Sequence, residues 1–108
     1  QENHLSLQSI FIKSGYEQVK IDLNDTLYVQ SAGNYLHFIL HNQKILSRLT
    51  MNEAEEMLPA TKFTRIHRSY IVANDKVTKI DKNFVWINDI NLPIGAGYSS
   101  GTEQIMKI

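Results

Sequence analysis

The decapeptide Phe63-Thr64-Arg65-Ile66-His67-Arg68-Ser69-Tyr70-Ile71-Val72 departs from the alternation that governs the segments around it. A regular strand sends successive side chains to opposite faces, so its apolar positions keep one phase of two. Here Phe63 and Ile66 are out of phase, and Tyr70, Ile71 and Val72 run on without a polar break. The pattern predicts a bend, a bulge or a turn near His67-Arg68-Ser69, pushing a cationic, hydrogen-bonding tip out of a packed wall. Two readings of that tip compete: a basic, solvated edge of an ordinary sheet, or a recognition element.

On the upstream side the wall begins with a helix. Thr50 followed three residues later by Glu53 has the spacing of a capping box, with Leu49 and Ala54 at the staple positions. Met51, Ala54 and Leu58 recur at helical intervals with Met57 beside them, a stripe better suited to core than to a partner groove. Pro59 ends the helix, which is expected near 50–58 and is too short to persist without packing on a sheet. Further upstream, Ile10 to Lys13, Val19 to Ile21, Leu27 to Val29, Tyr35 to Leu40 and Lys44 to Leu49 are short β-rich segments separated by turn residues. Such a run describes an antiparallel meander and not βαβ units. Residues 1–9 lack a firm period and are expected to be a linker or disordered lead-in.

Downstream, Val77 to Ile80, Phe84 to Ile87 and Ile90 to Ile94 continue the β pattern, with Asn88-Asp89 as a two-residue hairpin turn. Pro93 places the last strand at an edge or its end. Trp86 is expected to anchor the core, its ring nitrogen finding a partner. Gly95-Ala96-Gly97 is a loop, and Ser100 to Glu103 repeats the capping-box spacing ahead of a second short helix at the C-terminus.

The chain has 108 residues, enough for one domain with a modest core, and no cysteine, which excludes disulfides and cysteine-based zinc sites. No apolar run has the length of a membrane span, and no signal-peptide pattern opens the chain. A first residue of Gln1 in place of Met is the mark of a processed protein or of a piece excised from a longer one, and the second is the expectation. Eleven basic and eleven acidic residues cancel, yet residues 61–82 carry six Lys/Arg against two Asp/Glu, a formal +4, while residues 1–60 carry four against seven. That asymmetry predicts a basic face on a neutral domain.

Catalytic and metal chemistry find little support in the residue pattern. His37 and His41 are four apart in a strand running into a turn, a spacing that aligns two imidazoles only on a helix. His67 and Ser69 lack the third group that orients a hydrolytic triad. No phosphate-cradling glycine pattern or dinucleotide fingerprint occurs, and no cofactor or metal is expected. Recognition is the more productive idea: Arg68 on a protruding turn offers a fork of donors to guanine or phosphate, and His67 either donates to a phosphate or pins the turn.

The segments FIKS at 11–14, DTLYVQSAGNYLHF at 25–38, LTMNEAEEMLP at 49–59, FTRIHRSYIVANDKV at 63–77 and LPIG at 92–95 followed by Tyr98 together resemble the LytTR-type DNA-binding domain of bacterial response regulators. The resemblance spans 10–108 and implies a mainly β fold of elongated antiparallel sheets with short helices. It also implies sequence-specific binding of double-stranded DNA by loops inserted in the major groove, at paired repeats occupied by two protomers. Carried over by position, the contact residues are Asn34 and Tyr35 in the first loop, Arg65, His67 and Arg68 in the second, and Tyr98 and Ser99 in the third. Where the family commonly has a basic residue after Pro-Ile-Gly, this chain has Ala96 and Gly97. The implied setting is a cytoplasmic transcriptional regulator with an attached receiver domain and an upstream sensor kinase, without catalysis, cofactor or membrane. The competing expectation is a β-rich protein- or ligand-interaction module that keeps the fold without the DNA contacts.

Overall fold

The computed structural model describes residues 8–107, so the lead-in expected over 1–9 lies, apart from Gln8 and Ser9, outside the described residues, as does Ile108. In chain order the elements are β1 (Ser9–Ser14), β2 (Glu17–Asp22), β3 (Thr26–Ala32), β4 (Tyr35–Leu40), β5 (Lys44–Ser47), α1 (Met51–Met57), β6 (Phe63–His67), β7 (Tyr70–Ala73), β8 (Lys79–Ile80), β9 (Phe84–Ile87), β10 (Ile90–Pro93) and α2 (Gly101–Met106). They form a five-stranded antiparallel sheet in the order β5-β4-β3-β7-β6, a β1-β2 hairpin and a β10-β9-β8 sheet. The result is a slab with extents of 40 × 40 × 25 Å.

Two apolar layers hold the slab together. On one face of the central sheet, Val29, Phe38, Phe63 and Ile71 meet Ile12 and Ile21 of the hairpin and Met51, Ala54 and Leu58 around α1. On the other, Tyr28, Ile66 and Val72 meet Val85, Ile87, Leu92 and Ile105 of the outer sheet and α2. Burial of each such aliphatic or aromatic side chain stabilises the fold by about 1.5–3 kcal/mol. Because β6 and β7 are covered on both faces, Phe63 enters the first layer and Ile66 the second. The expected irregularity is a β-bulge: Arg65 pairs with Ile71 and His67 with Tyr70, leaving Ile66 as the extra residue.

The helix α1 starts as its sequence predicts. Thr50 Oγ1 accepts from the Glu53 amide at 3.1 Å and the Glu53 carboxylate accepts from the Thr50 amide at 2.9 Å. Thr50→Ala is expected to destabilise the domain by about 1 kcal/mol without changing its binding preference, read as a shift in urea midpoint; an unchanged midpoint would mean the box carries no stability.

Several expectations change. The third strand, expected over Leu27 to Val29, runs on to Ala32 and turns at Gly33-Asn34, with Gly33 at φ 63. The strand expected over 77–80 shrinks to Lys79–Ile80, because Asn74–Lys76 winds into a 3-10 turn. Ser100 stands before α2 in helical geometry with no side-chain cap bond, so the second capping box does not form. Trp86 is only half-buried: Val85 and Ile87 take the inward positions of β9, and the indole donates to Asp81 Oδ2 at 3.1 Å on the outer face. Asn88-Asp89 does close a hairpin, Asn88 adopting φ 55 where glycine would be usual.

Candidate nucleic-acid interface

Sheet register brings the predicted loops to one end of the molecule. β3 runs toward the Gly33-Asn34 turn, and Gln30 pairs with Tyr70, so the β6–β7 turn ends beside it. The Ser31 amide donates to the Ser69 carbonyl at 2.9 Å, tying the two turns together. The third segment is fastened to the same place: the Gly95 amide donates to the Ile66 carbonyl at 2.8 Å. A Cβ on Gly95 would lie 3.1 Å from His67 Cδ2, 3.1 Å from Tyr98 Cδ2 and 3.3 Å from His67 Cα, so a larger residue here would have to push His67 and Tyr98 back by a few tenths of an ångström.

The β6–β7 turn is built from its own side chains. His67 Nδ1 accepts from the Ser69 amide at 3.0 Å, which makes that nitrogen the acceptor and leaves Nε2 as the neutral ring's donor. Arg65 is largely enclosed, its side chain 15% exposed, and its guanidinium is spent within the protein. Nε donates to the His67 carbonyl at 3.3 Å, Nη2 to the Arg68 carbonyl at 2.9 Å, and Nη1 to Asn52 Oδ1 at 2.8 Å and Glu55 Oε1 at 3.0 Å. The Tyr98 ring lies under it at 5.8 Å. Arg68 alone of the turn's cations is exposed, and the nearest following carboxylate in the sequence, Asp75, sits past the opposite end of β7.

Asn34 and Tyr35 are exposed at the first turn, and Ser99 is exposed and Tyr98 half-buried in the third segment. Sequence reasoning missed Arg48. Its guanidinium lies 5.2 Å from the Tyr35 ring centroid and Nη2 donates to Tyr35 Oη at 3.3 Å. The signal was strand alternation: Ile45 and Ser47 are buried, which turns Leu46 and Arg48 outward.

The single basic face expected from 61–82 is dispersed. Arg65 is paired with Glu55, Lys62 and Lys76 lie at the opposite end of the β6–β7 hairpin, and Lys79 stands 4.2 Å over the Trp86 ring. The Asp81 carboxyl is held below its usual range by the Asn83 amide first, then the Trp86 indole, the Phe84 amide and the charge of Lys79. Burial, and secondarily Tyr70, pushes the Tyr28 phenol up. Among the described residues no helix is long and apolar enough to cross a membrane.

Comparison with known proteins places this geometry. The family profile of the LytTr DNA-binding domain matches residues 16–100. The heme-containing CO-sensing transcriptional regulator RcoM 2 of Paraburkholderia xenovorans (strain LB400) is 33% identical over 97 residues, 83% of this chain and 36% of that protein. Sensory transduction protein LytT of Bacillus subtilis (strain 168) is 19% identical over 114 residues, covering 100% of this chain and 47% of that protein. The chain thus spans less than half the length of either curated relative. A solved LytTr DNA-binding domain of a methyl-accepting/DNA response regulator from Bacillus cereus superposes with a TM-score of 0.78 at 16% identity, over 95% of this chain and 100% of that one. That likeness establishes the mainly β fold with short helices.

Proposed function

The chain belongs to the LytTr DNA-binding domain family, and from that membership we propose that it reads double-stranded DNA through the row of turns at one end of its central sheet. The family is one of DNA-binding modules, and the chain's function is binding, not catalysis. The observation that carries the mode of binding is the convergence of the Gly33–Tyr35, His67–Ser69 and Gly95–Ser99 segments, joined by backbone hydrogen bonds. Arg68 supplies a planar fork for a base edge, and His67 Nε2 and Asn34 supply shorter-reach donors. Arg65 serves this row from behind by fixing the His67 and Arg68 carbonyls. The loops enter the major groove, and two protomers occupy paired repeats.

In the whole protein the domain acts as the output element of a cytoplasmic transcriptional regulator, alongside a receiver domain controlled by a sensor kinase. The likeness to a sensory transduction protein supports that setting.

The test is selection of bound duplexes from a random library, followed by titration of the winner at four salt concentrations. A common sequence is expected, with the logarithm of affinity falling linearly against the logarithm of salt. About 3–5 neutralised phosphates per protomer would each add roughly 0.9 to the slope. Failure to enrich any sequence together with a flat salt profile would point instead to a β-module whose partner is not DNA.

A further inference from the structure

The row of turns does not end at Tyr35. β5 pairs with β4 so that Ser47 stands opposite Leu36, which brings the exit of β5, with Arg48, to the same end of the sheet. Ser47 Oγ donates to the Lys13 carbonyl at 2.6 Å, and this places the β1–β2 turn beside it. Between them runs an open groove of about 550 Å³ lined by Lys13, Tyr16, Tyr35, Leu46, Arg48 and Glu53. Resting on the DNA-binding reading, we propose that this groove is a further contact with the DNA phosphate backbone, in which Arg48 is the phosphate donor and Lys13 supports it.

Three observations carry the assignment. Arg48 is exposed, and among the described residues it makes no ion pair; its bond to Tyr35 uses one N–H of Nη2 and leaves the other donors of the fork for a ligand. Stacking on Tyr35 makes it continuous with the first predicted contact loop and holds its planar group in place. Glu53, the acid among the lining residues, is committed to the capping box through Oε1. Geometry agrees: five strands at about 4.8 Å put Arg48 and the β6–β7 turn about 19 Å apart, so both fit within one duplex turn of about 34 Å. The third segment carries Ala96 and Gly97, whereas the opposite end of the row carries Arg48 and Lys13. Cationic anchoring is therefore shifted to the β1–β5 side.

The experiment is fluorescence anisotropy of the whole chain with its selected duplex and a scrambled one, at four salt concentrations, for the parent, Arg48→Gln, Arg48→Lys, Lys13→Gln and Arg68→Ala. Arg48→Gln is expected to weaken both duplexes equally, by about tenfold, and to reduce the salt slope by roughly 0.9. Arg48→Lys should keep the slope, and Lys13→Gln should give a smaller loss of the same kind. Equal losses for Arg48→Gln and Arg48→Lys with an unchanged slope would overturn the proposal, since Arg48 would then only support Tyr35. A loss confined to the selected duplex would overturn it in favour of a base contact. If Arg68→Ala weakens binding while Arg48→Gln leaves affinity and slope intact, this contact is wrong and the DNA-binding reading survives. Absence of any parent binding would remove both.

Discussion

Arg68→Ala lowers affinity for the preferred duplex by about 1–3 kcal/mol, roughly 5- to 150-fold, while affinity for a random duplex falls far less. The expectation follows from the turn's construction. His67 and Arg65 are engaged with backbone carbonyls and amides, whereas the Arg68 side chain projects from the bulged hairpin with no partner among the described residues. Its removal deletes no internal contact, so thermal stability should stay within about 0.5 kcal/mol of the parent. Arg68→Lys restores part of the affinity for random DNA and little of the selectivity, because a point charge replaces a planar fork. The measurement is the affinity of each variant for both duplexes at fixed salt. Equal losses on the two would demote Arg68 to a phosphate contact, and no loss on either would remove it from the interface.

Much of the fold was legible because local signals agreed with long-range ones. The Thr50–Glu53 box, the β3-β4-β5 part of the expected meander and the Asn88-Asp89 hairpin each rest on neighbours a few residues apart, and each is found, whereas β1 and β2 split off as a separate hairpin. The misreadings arise where tertiary contacts decide. Phe63 and Ile66 look out of phase to a one-sided rule, but the sheet is covered on both faces and each residue fills its own layer. The irregularity is real and sits at Ile66, the extra residue of the Arg65/His67 register shift, just ahead of the turn. Trp86 has the size of a core anchor, yet strand phase assigns the inward positions to Val85 and Ile87. The Ser100–Glu103 spacing fails as a cap because Ser100 is already in helical geometry.

The site was legible in its position more than in its chemistry. The sequence located the tip at His67-Arg68-Ser69, but not how its cations divide their work. Net charge along a segment cannot tell a pair-bound Arg65 from an outward Arg68, since the partner Glu55 comes from a helix ten residues upstream. Nor can it see that Lys62 and Lys76 lie at the other end of a hairpin whose tip is the proposed binding element. Arg48 escaped for the complementary reason: its importance lies in Tyr35, a neighbour across β4 and β5 that only register brings close.

That division of labour makes Arg65 the residue whose loss should be felt at a distance from its own contacts. Four of the five N–H donors of its guanidinium are used, joining α1 through Asn52 and Glu55 to the carbonyls of His67 and Arg68. Arg65→Ala leaves those acceptors to be rehydrated and frees the turn, at an expected cost of about 1–3 kcal/mol in stability. The turn then samples conformations in which Arg68 and His67 are not aligned, and affinity for the selected duplex falls with it, by about tenfold or more. Arg65→Lys should recover little, because one ammonium can meet Glu55 but cannot bridge two backbone carbonyls as well. A positioning residue and a phosphate contact are separated by salt. If Arg65 acts only through the turn, Arg65→Ala weakens binding at every salt concentration by a similar factor and the slope is that of the parent. A slope reduced by roughly 0.9 would mean that its charge reaches the DNA, and that the Glu55 pair opens on binding.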